Sequence, residues 1–190
     1  MGKGRVEAFS DGVIAVIITI MVLEMKVPHG DDLSALGPLV PVFLSYVLSF
    51  IYAGIYWNNH HHLFHAVKQI DGSILWANLH VLFWLSLIPF ATGWMGENHF
   101  GPLPVAAYGV VLMLSAISFV ILTRLLVKHH GRDSQLAKSI RGDTKGKISV
   151  AMYAVAIPMA FVNAWISGAI YIAVALMWLV PDPRIERAIH

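Results

Sequence analysis

The chain has 190 residues, 57% hydrophobic and only 13% charged, with a formal net charge of +2. An ordinary soluble domain carries roughly 25% charge, so this composition, with a mean hydropathy of +0.69, excludes a water-soluble globule and indicates an integral membrane protein. No cysteine is present, which excludes disulfides and thiolate metal sites.

Six apolar segments are predicted as helices, at about Val6 to Lys26, Pro41 to Val67, Ser73 to Met95, Leu103 to Val127, Ile148 to Asn163 and Trp165 to Val180. About 20 residues cross a bilayer, a length that the first four reach readily. The last two are short, and Asn163, Ser167 and Gly168 suggest a tight lumenal or external hairpin between them. Pro89 and Pro158 fall inside two of the segments, where each can kink a helix. Glu7 and Asp11 argue against a secretory signal at the start. The expected fold is all-α, a single membrane domain over 1–190 with a solvated linker at about 128–147.

Charge asymmetry gives the orientation. With six spans, one side holds Lys3, Arg5, Lys68, Arg124, Lys128, Arg132, Lys138, Arg141, Lys145, Lys147, Arg184 and Arg187, and the other only Lys26. By the positive-inside rule both termini and the 128–147 linker are expected in the cytoplasm of a multi-pass cell-membrane protein. That linker lacks the aromatic interleaving of a nucleic-acid binder, so no nucleic-acid partner is expected.

The first segment, RVEAFSDGVIAVIITIMVLEMKVP from Arg5 to Pro28, is apolar at its centre yet carries Arg5, Glu7, Asp11 and Glu24. At about 100° per residue, Gly12, Val16, Thr19, Ile20 and Leu23 share one stripe. Arg5 and Asp11 stand six residues apart, about 120° out of register, so they do not pair along the helix. An unpaired carboxylate in lipid costs roughly 2.5–3.5 kcal/mol on insertion scales. This helix is therefore expected to be surrounded by protein or water.

The motif R-x-x-x-F-S-D at Arg5, Phe9, Ser10 and Asp11, continued by I-T-x-x-x-L-E at Ile18, Thr19, Leu23 and Glu24, resembles the bacterial branch of the transmembrane protein 175 family of potassium channels. Y-W-N-N-H-H-H-L-F at Tyr56 to Phe64, L-W-A-N-L from Leu75 and L-I-P-F-A-T up to Thr92 extend the resemblance. It implies a homotetramer, six transmembrane helices per subunit, around a central pore lined by the first helix. Such channels lack the T-V-G-Y-G carbonyl filter, as this sequence does. Their constriction consists of rings of branched apolar side chains, carried over here to Val16, Thr19, Ile20 and Leu23, the stripe already found from periodicity. The first ring is more usually Ile or Leu, so Val16 is a departure by one methylene.

A constriction lined with alkyl groups dewets when narrow, and an ion sheds hydration to pass. Potassium, the less strongly hydrated cation, is then favoured modestly, and Glu24 concentrates cations at the mouth. The same stripe would also serve ordinary helix packing. Arg5, Phe9, Ser10 and Asp11 read as a structural motif that fixes the pore helix, with Trp57 and His80 as candidate partners. His60, His61, His62 and His65 form a cluster in which only His61 and His65 have i, i+4 metal-ligand spacing. No neighbouring Asp, Glu or Cys completes a set, so a structural or pH-linked role is expected before a metal.

The expected function is a potassium-permeable channel with partners limited to potassium ions, lipid and further copies of the chain. No cofactor is expected beyond the permeant ion, and no catalysis. A secondary transporter is the alternative, though no internal repeat is visible. An intramembrane enzyme built on the histidines lacks a nucleophile or a complete metal set.

Overall fold

A computed structural model describes residues 2–67, 69–131, 134 and 144–179. Among them the regular elements are all helices: α1 (Lys3–Leu23), a short 3-10 helix (Leu33–Leu39) leading into α2 (Val40–His65), α3 (Gly72–Ser86), α4 (Ile88–Glu97), α5 (Pro102–His130), α6 (Thr144–Met159) and α7 (Ala164–Leu179). Four stretches are long and apolar enough to cross a membrane, namely Lys3–Leu23, Leu33–His65, Gly72–Glu97 and Pro102–His130. α1 packs across α2, α3 and α4, while α5 packs on α3 and α6 and α7 lies against α6.

Local chemistry sets the helix ends. Asp71 caps α3, its carboxylate accepting from Ile74 N–H at 2.9 Å and from the Ser73 hydroxyl at 2.7 Å. Those two bonds, the Ser73 hydroxyl foremost, hold the Asp71 carboxyl below its ordinary range, so the cap persists until acid below that range. Pro41 and Pro102 occupy first-turn positions where a missing N–H costs nothing. α5 stops at Gly131, whose φ of 89° suits glycine.

Three expectations need correction. The segment read as one helix from Ser73 to Met95 is two, meeting at Leu87. Pro89 cannot donate to the carbonyl one turn earlier and instead opens α4. The Ser86 and Thr92 hydroxyls bond the Phe83 and Ile88 carbonyls at 2.7 Å each, so polar groups near the break are satisfied. In the last hairpin only Asn163 lies in the turn, its side chain accepting from Trp165 N–H at 3.0 Å. Ser167 and Gly168 are inside α7. The expected linker at 128–147 is helical at both ends, because α5 runs to His130 and α6 begins at Thr144. Its remainder, apart from 134, lies outside the described residues, as do Lys68, Arg132, Lys138, Arg141, Arg184 and Arg187.

Contacts between helix ends give alternating directions. At one end Lys3 Nζ donates to the His65 carbonyl at 3.1 Å, and His129 Nδ1 lies 3.2 Å from an Asp71 carboxylate oxygen. The start of α1, the end of α2, the start of α3 and the end of α5 therefore meet there. At the other end Lys26 pairs with Glu97 at 3.2 Å. The α4–α5 turn holds His99 and Phe100 at φ 52° and 58°, a left-handed conformation uncommon for residues with a Cβ. Phe100 is held there by its N–H bond to the Met95 carbonyl at 3.0 Å and by the Trp165 ring at 5.6 Å.

Gly96 lets α4 lie directly on α2. A Cβ at that position would sit 2.6 Å from Ser45 Oγ and 2.7 Å from Val42 Cα, and a backbone atom does not yield as a flexible side chain does. Gly96→Ala is expected to destabilise the protein by about 1–3 kcal/mol, the scale of overpacking. Thermal aggregation of the detergent-solubilised variant checks this, and an unchanged midpoint would show that the helices separate freely.

Candidate functional site

α1 has two unlike faces. Val6, Ser10, Ile14, Ile17 and Met21 are buried against the rest of the chain. On the opposite side Gly12, Val16, Thr19, Ile20 and Leu23 are exposed, with Val16 at 53%, Ile20 at 40% and Leu23 at 80%. The stripe derived from periodicity is thus the face of α1 that its own chain leaves uncovered. Thr19 donates its hydroxyl to the Val16 carbonyl at 2.9 Å, which orients the oxygen along the helix and leaves lone pairs outward.

The R-x-x-x-F-S-D motif divides among three directions. Arg5 and Phe9 point to the uncovered side, and Arg5 makes no ion pair among the described residues. Ser10 is fully buried and donates to the Val6 carbonyl at 2.8 Å. Asp11, half-buried, accepts from the Trp57 indole N–H of α2 at 3.1 Å. Trp57 is thus a partner of Asp11. Within the chain His80 Nε2 instead accepts from Trp84, one turn along α3, at 2.8 Å.

Behind the motif a hydrogen-bonded chain ties three helices together. Asn78 of α3 donates to Ser10 Oγ of α1 at 2.9 Å, and its carbonyl oxygen lies 2.7 Å from His60 Nε2 of α2. That oxygen is an acceptor only, so His60 carries its proton on Nε2. All three residues are buried, and the His60 ring is stacked on Phe64 at 4.4 Å. Sequence reasoning gave Asn78 no role, although a lone amide inside L-W-A-N-L was the available signal. It also grouped His60 with its neighbours, whereas burial separates it. His61 and His65 are exposed, and no group of three or more metal-ligating side chains occurs among the described residues.

Beside the uncovered stripe, α1 and α4 enclose a groove of about 960 Å³, lined by Phe9, Gly12, Val16, Ile20, Phe90 and Trp94 with Glu24 and Glu97 at its outer end. Pro89, in the first turn of α4, is among the residues that line it. The exposed Glu24 carboxylate lies over Gly93. Deeper in the bundle, Ser49 joins Thr92 at 2.6 Å and Tyr108 at 3.0 Å, a buried hydroxyl cluster that periodicity did not reveal.

Known proteins resemble this chain in sequence and fold. A family model described as endosomal/lysosomal potassium channel TMEM175 matches residues 5–89, the stretch holding Ser10, Asp11, Trp57, His60 and Asn78. A potassium channel of Chryseobacterium sp. is 54% identical over 189 residues, covering 100% of this chain and 98% of its own length. A potassium channel of Streptomyces collinus is 33% identical over 200 residues, covering 98% and 97%. The crystal structure of a lysosomal potassium-selective channel TMEM175 homolog from Chamaesiphon minutus matches with a TM-score of 0.82 at 29% identity, over 94% of this chain and 96% of that one.

Asn78→Ala removes a partner from both His60 and Ser10. A single polar contact between membrane helices averages about 0.6 kcal/mol, but leaving two buried groups unsatisfied is expected to cost about 1–3 kcal/mol. The thermal midpoint of Asn78→Ala should fall well below that of Ser86→Ala, which removes an exposed hydroxyl. Equal midpoints would mean that the chain through Asn78 does not hold α1.

Proposed function

Because this chain belongs to the TMEM175 family, we propose that it is a potassium-permeable channel whose pore is lined by the uncovered face of α1 from four copies. The observation that carries this reading is the opposition of the two faces of α1. One is packed by α2, α3 and α4, and the other presents Gly12, Val16, Thr19, Ile20 and Leu23 to whatever lies outside the chain. Lipid is a poor match for that face, since Arg5 stands at one end and Glu24 near the other. Copies arranged around a shared axis give the charges water and the alkyl groups one another.

In this arrangement Val16, Ile20 and Leu23 form successive apolar rings, with the Thr19 hydroxyls between them. The alkyl rings hold no oxygen cage, so discrimination follows the cost of partial dehydration, which is smaller for potassium than for sodium. Glu24 raises the local cation concentration at the mouth. The groove between α1 and α4 supports the assembly, because it offers a neighbouring subunit an apolar seat beside the pore face. In this reading the protein lies in the cell membrane with both termini in the cytoplasm. The described basic residues Lys3, Arg5, Arg124, Lys128, Lys145 and Lys147 support that orientation.

Planar-bilayer recording of the purified protein under opposed potassium and sodium gradients tests the function, with single-channel steps and a potassium-directed reversal potential as the expected result. A saturating, step-free flux would indicate a transporter. Within that assay Leu23→Ser is expected to hydrate the constriction, raising conductance and moving the reversal potential toward zero. Thr19→Val keeps the volume and removes the hydroxyl, so conductance should drop. Ile18→Ala, outside the stripe, should leave permeation nearly untouched. A shift confined to Ile18→Ala would place the pore on another face of the helix.

Orientation has its own check in this cysteine-free chain. Ser134→Cys and Asn98→Cys are expected to react with impermeant reagents from opposite sides, and labelling of both from one side would reject the topology.

A further inference from the structure

The last two turns of α2 carry four histidines that burial separates into different roles. His60 is buried and bonded to Asn78. His61 and His65 are exposed, one turn apart, with ring centroids separated by 6.2 Å and planes inclined by 25°. His61 is also stacked on Trp57 at 6.1 Å, and Trp57 donates its indole N–H to Asp11 of α1. An indole and two imidazoles thus form a ladder along one edge of α2, and the ladder ends on a carboxylate of the pore-facing helix.

We propose that His61 and His65 bind a divalent late first-row transition ion of the zinc, nickel and copper class, and that Trp57 links this site to α1. Two imidazoles one turn apart on a helix reach a common ion by side-chain rotation alone, with metal–nitrogen bonds of about 2.0–2.1 Å. Neutral ring nitrogens suit these borderline ions and not magnesium, which takes oxygen ligands. The pair lies at the C-terminal end of α2, where the helix dipole favours positive charge. Lys3, which donates to the His65 carbonyl at 3.1 Å, also pairs with Glu7 at 3.7 Å. Because no third His, Cys, Asp or Glu joins the pair among the described residues, water completes the shell. That makes the site exchangeable, as suits a sensor and not a structural metal. Turning His61 toward the ion lifts its ring from Trp57 and changes the surroundings of the Trp57–Asp11 hydrogen bond. The proposal stands apart from the permeation reading, since it needs only α1, α2 and the ion.

The test uses the purified full-length protein in detergent micelles, with zinc binding followed by titration calorimetry and nickel binding by quenching of tryptophan emission. Saturable binding of zinc and nickel, reversed by EDTA and absent with magnesium, is expected. His61→Ala and His65→Ala should each weaken zinc binding at least about tenfold, the scale set even by loss of an outer-shell partner, whereas His62→Ala should not. Trp57→Phe should keep zinc binding and remove most of the nickel quenching. His65→Gln serves as the second variant if an alanine variant melts early. Undiminished zinc binding in the His61→Ala/His65→Ala double variant, or an equal loss in His62→Ala, would overturn the site. Full quenching in Trp57→Phe would overturn the link to α1.

Discussion

Lipid offers a buried polar group no hydrogen bond, and it offers an apolar side chain no reason to turn inward. The backbone meets the first condition by becoming helical. The second means that Leu, Ile and Phe are as well placed facing lipid as facing one another, so the hydrophobic effect does not choose the inside of this bundle. Hydroxyls and amides choose it. Ser10, Ser45, Ser49, Asn78, Thr92, Ser115, Ser118, Ser149 and Ser167 are all buried, while Leu23, Trp76, Phe90 and Trp165 face outward. Among the described residues the Thr123 hydroxyl is the one buried side-chain polar group without a partner, so the rule is met nearly throughout.

The rotation of α1 about its own axis follows from this constraint. Ser10 and Asp11 are consecutive and so point about 100° apart. One bonds into the core through Asn78, and the other reaches Trp57 on α2. Two fixed directions determine a rotation, and a turn by a single residue would strand both groups at once. The side left over by those two bonds is the side carrying Gly12, Val16, Thr19, Ile20 and Leu23. The orientation of the stripe is therefore a consequence of polar pairing one turn away from it, and the motif acts as the pin for residues that it does not touch.

Much of this was legible in the sequence, for physical reasons. Long apolar runs announce spans because backbone bonds close within them, and a 3.6-residue period divides α1 into stripe and back. Asp11 announced a partner outside its own helix because an isolated carboxylate in lipid is too costly. What stayed hidden depended on which distant residues meet. Nothing local distinguishes Trp57 from His80 as the partner of Asp11, or the buried His60 from its exposed neighbours. Pro89 signalled a kink, but whether the chain bends or restarts depends on packing that no local pattern shows, and here α3 ends at Ser86 and α4 begins at Ile88. Gly96 appears unremarkable in sequence until Ser45 and Val42 are brought against it.

Opposite faces of one helix thus separate a packed side from an uncovered one. The basic end of α1 is pinned by hydrogen bonds through Ser10 and Asp11, whereas its outer half rests on apolar packing and a long contact of 3.9 Å between Met21 Sδ and the Thr92 hydroxyl. Val16, Ile20 and Leu23 are all exposed, Leu23 most of all at 80%, so these residues have few neighbours within their own chain. Substitutions there change what lines the uncovered face at little cost to the subunit, while substitutions at Ser10, Asn78 or Trp57 act on the packing that orients it. A helix built this way lets the residues of its uncovered face vary without disturbing the bonds that aim it.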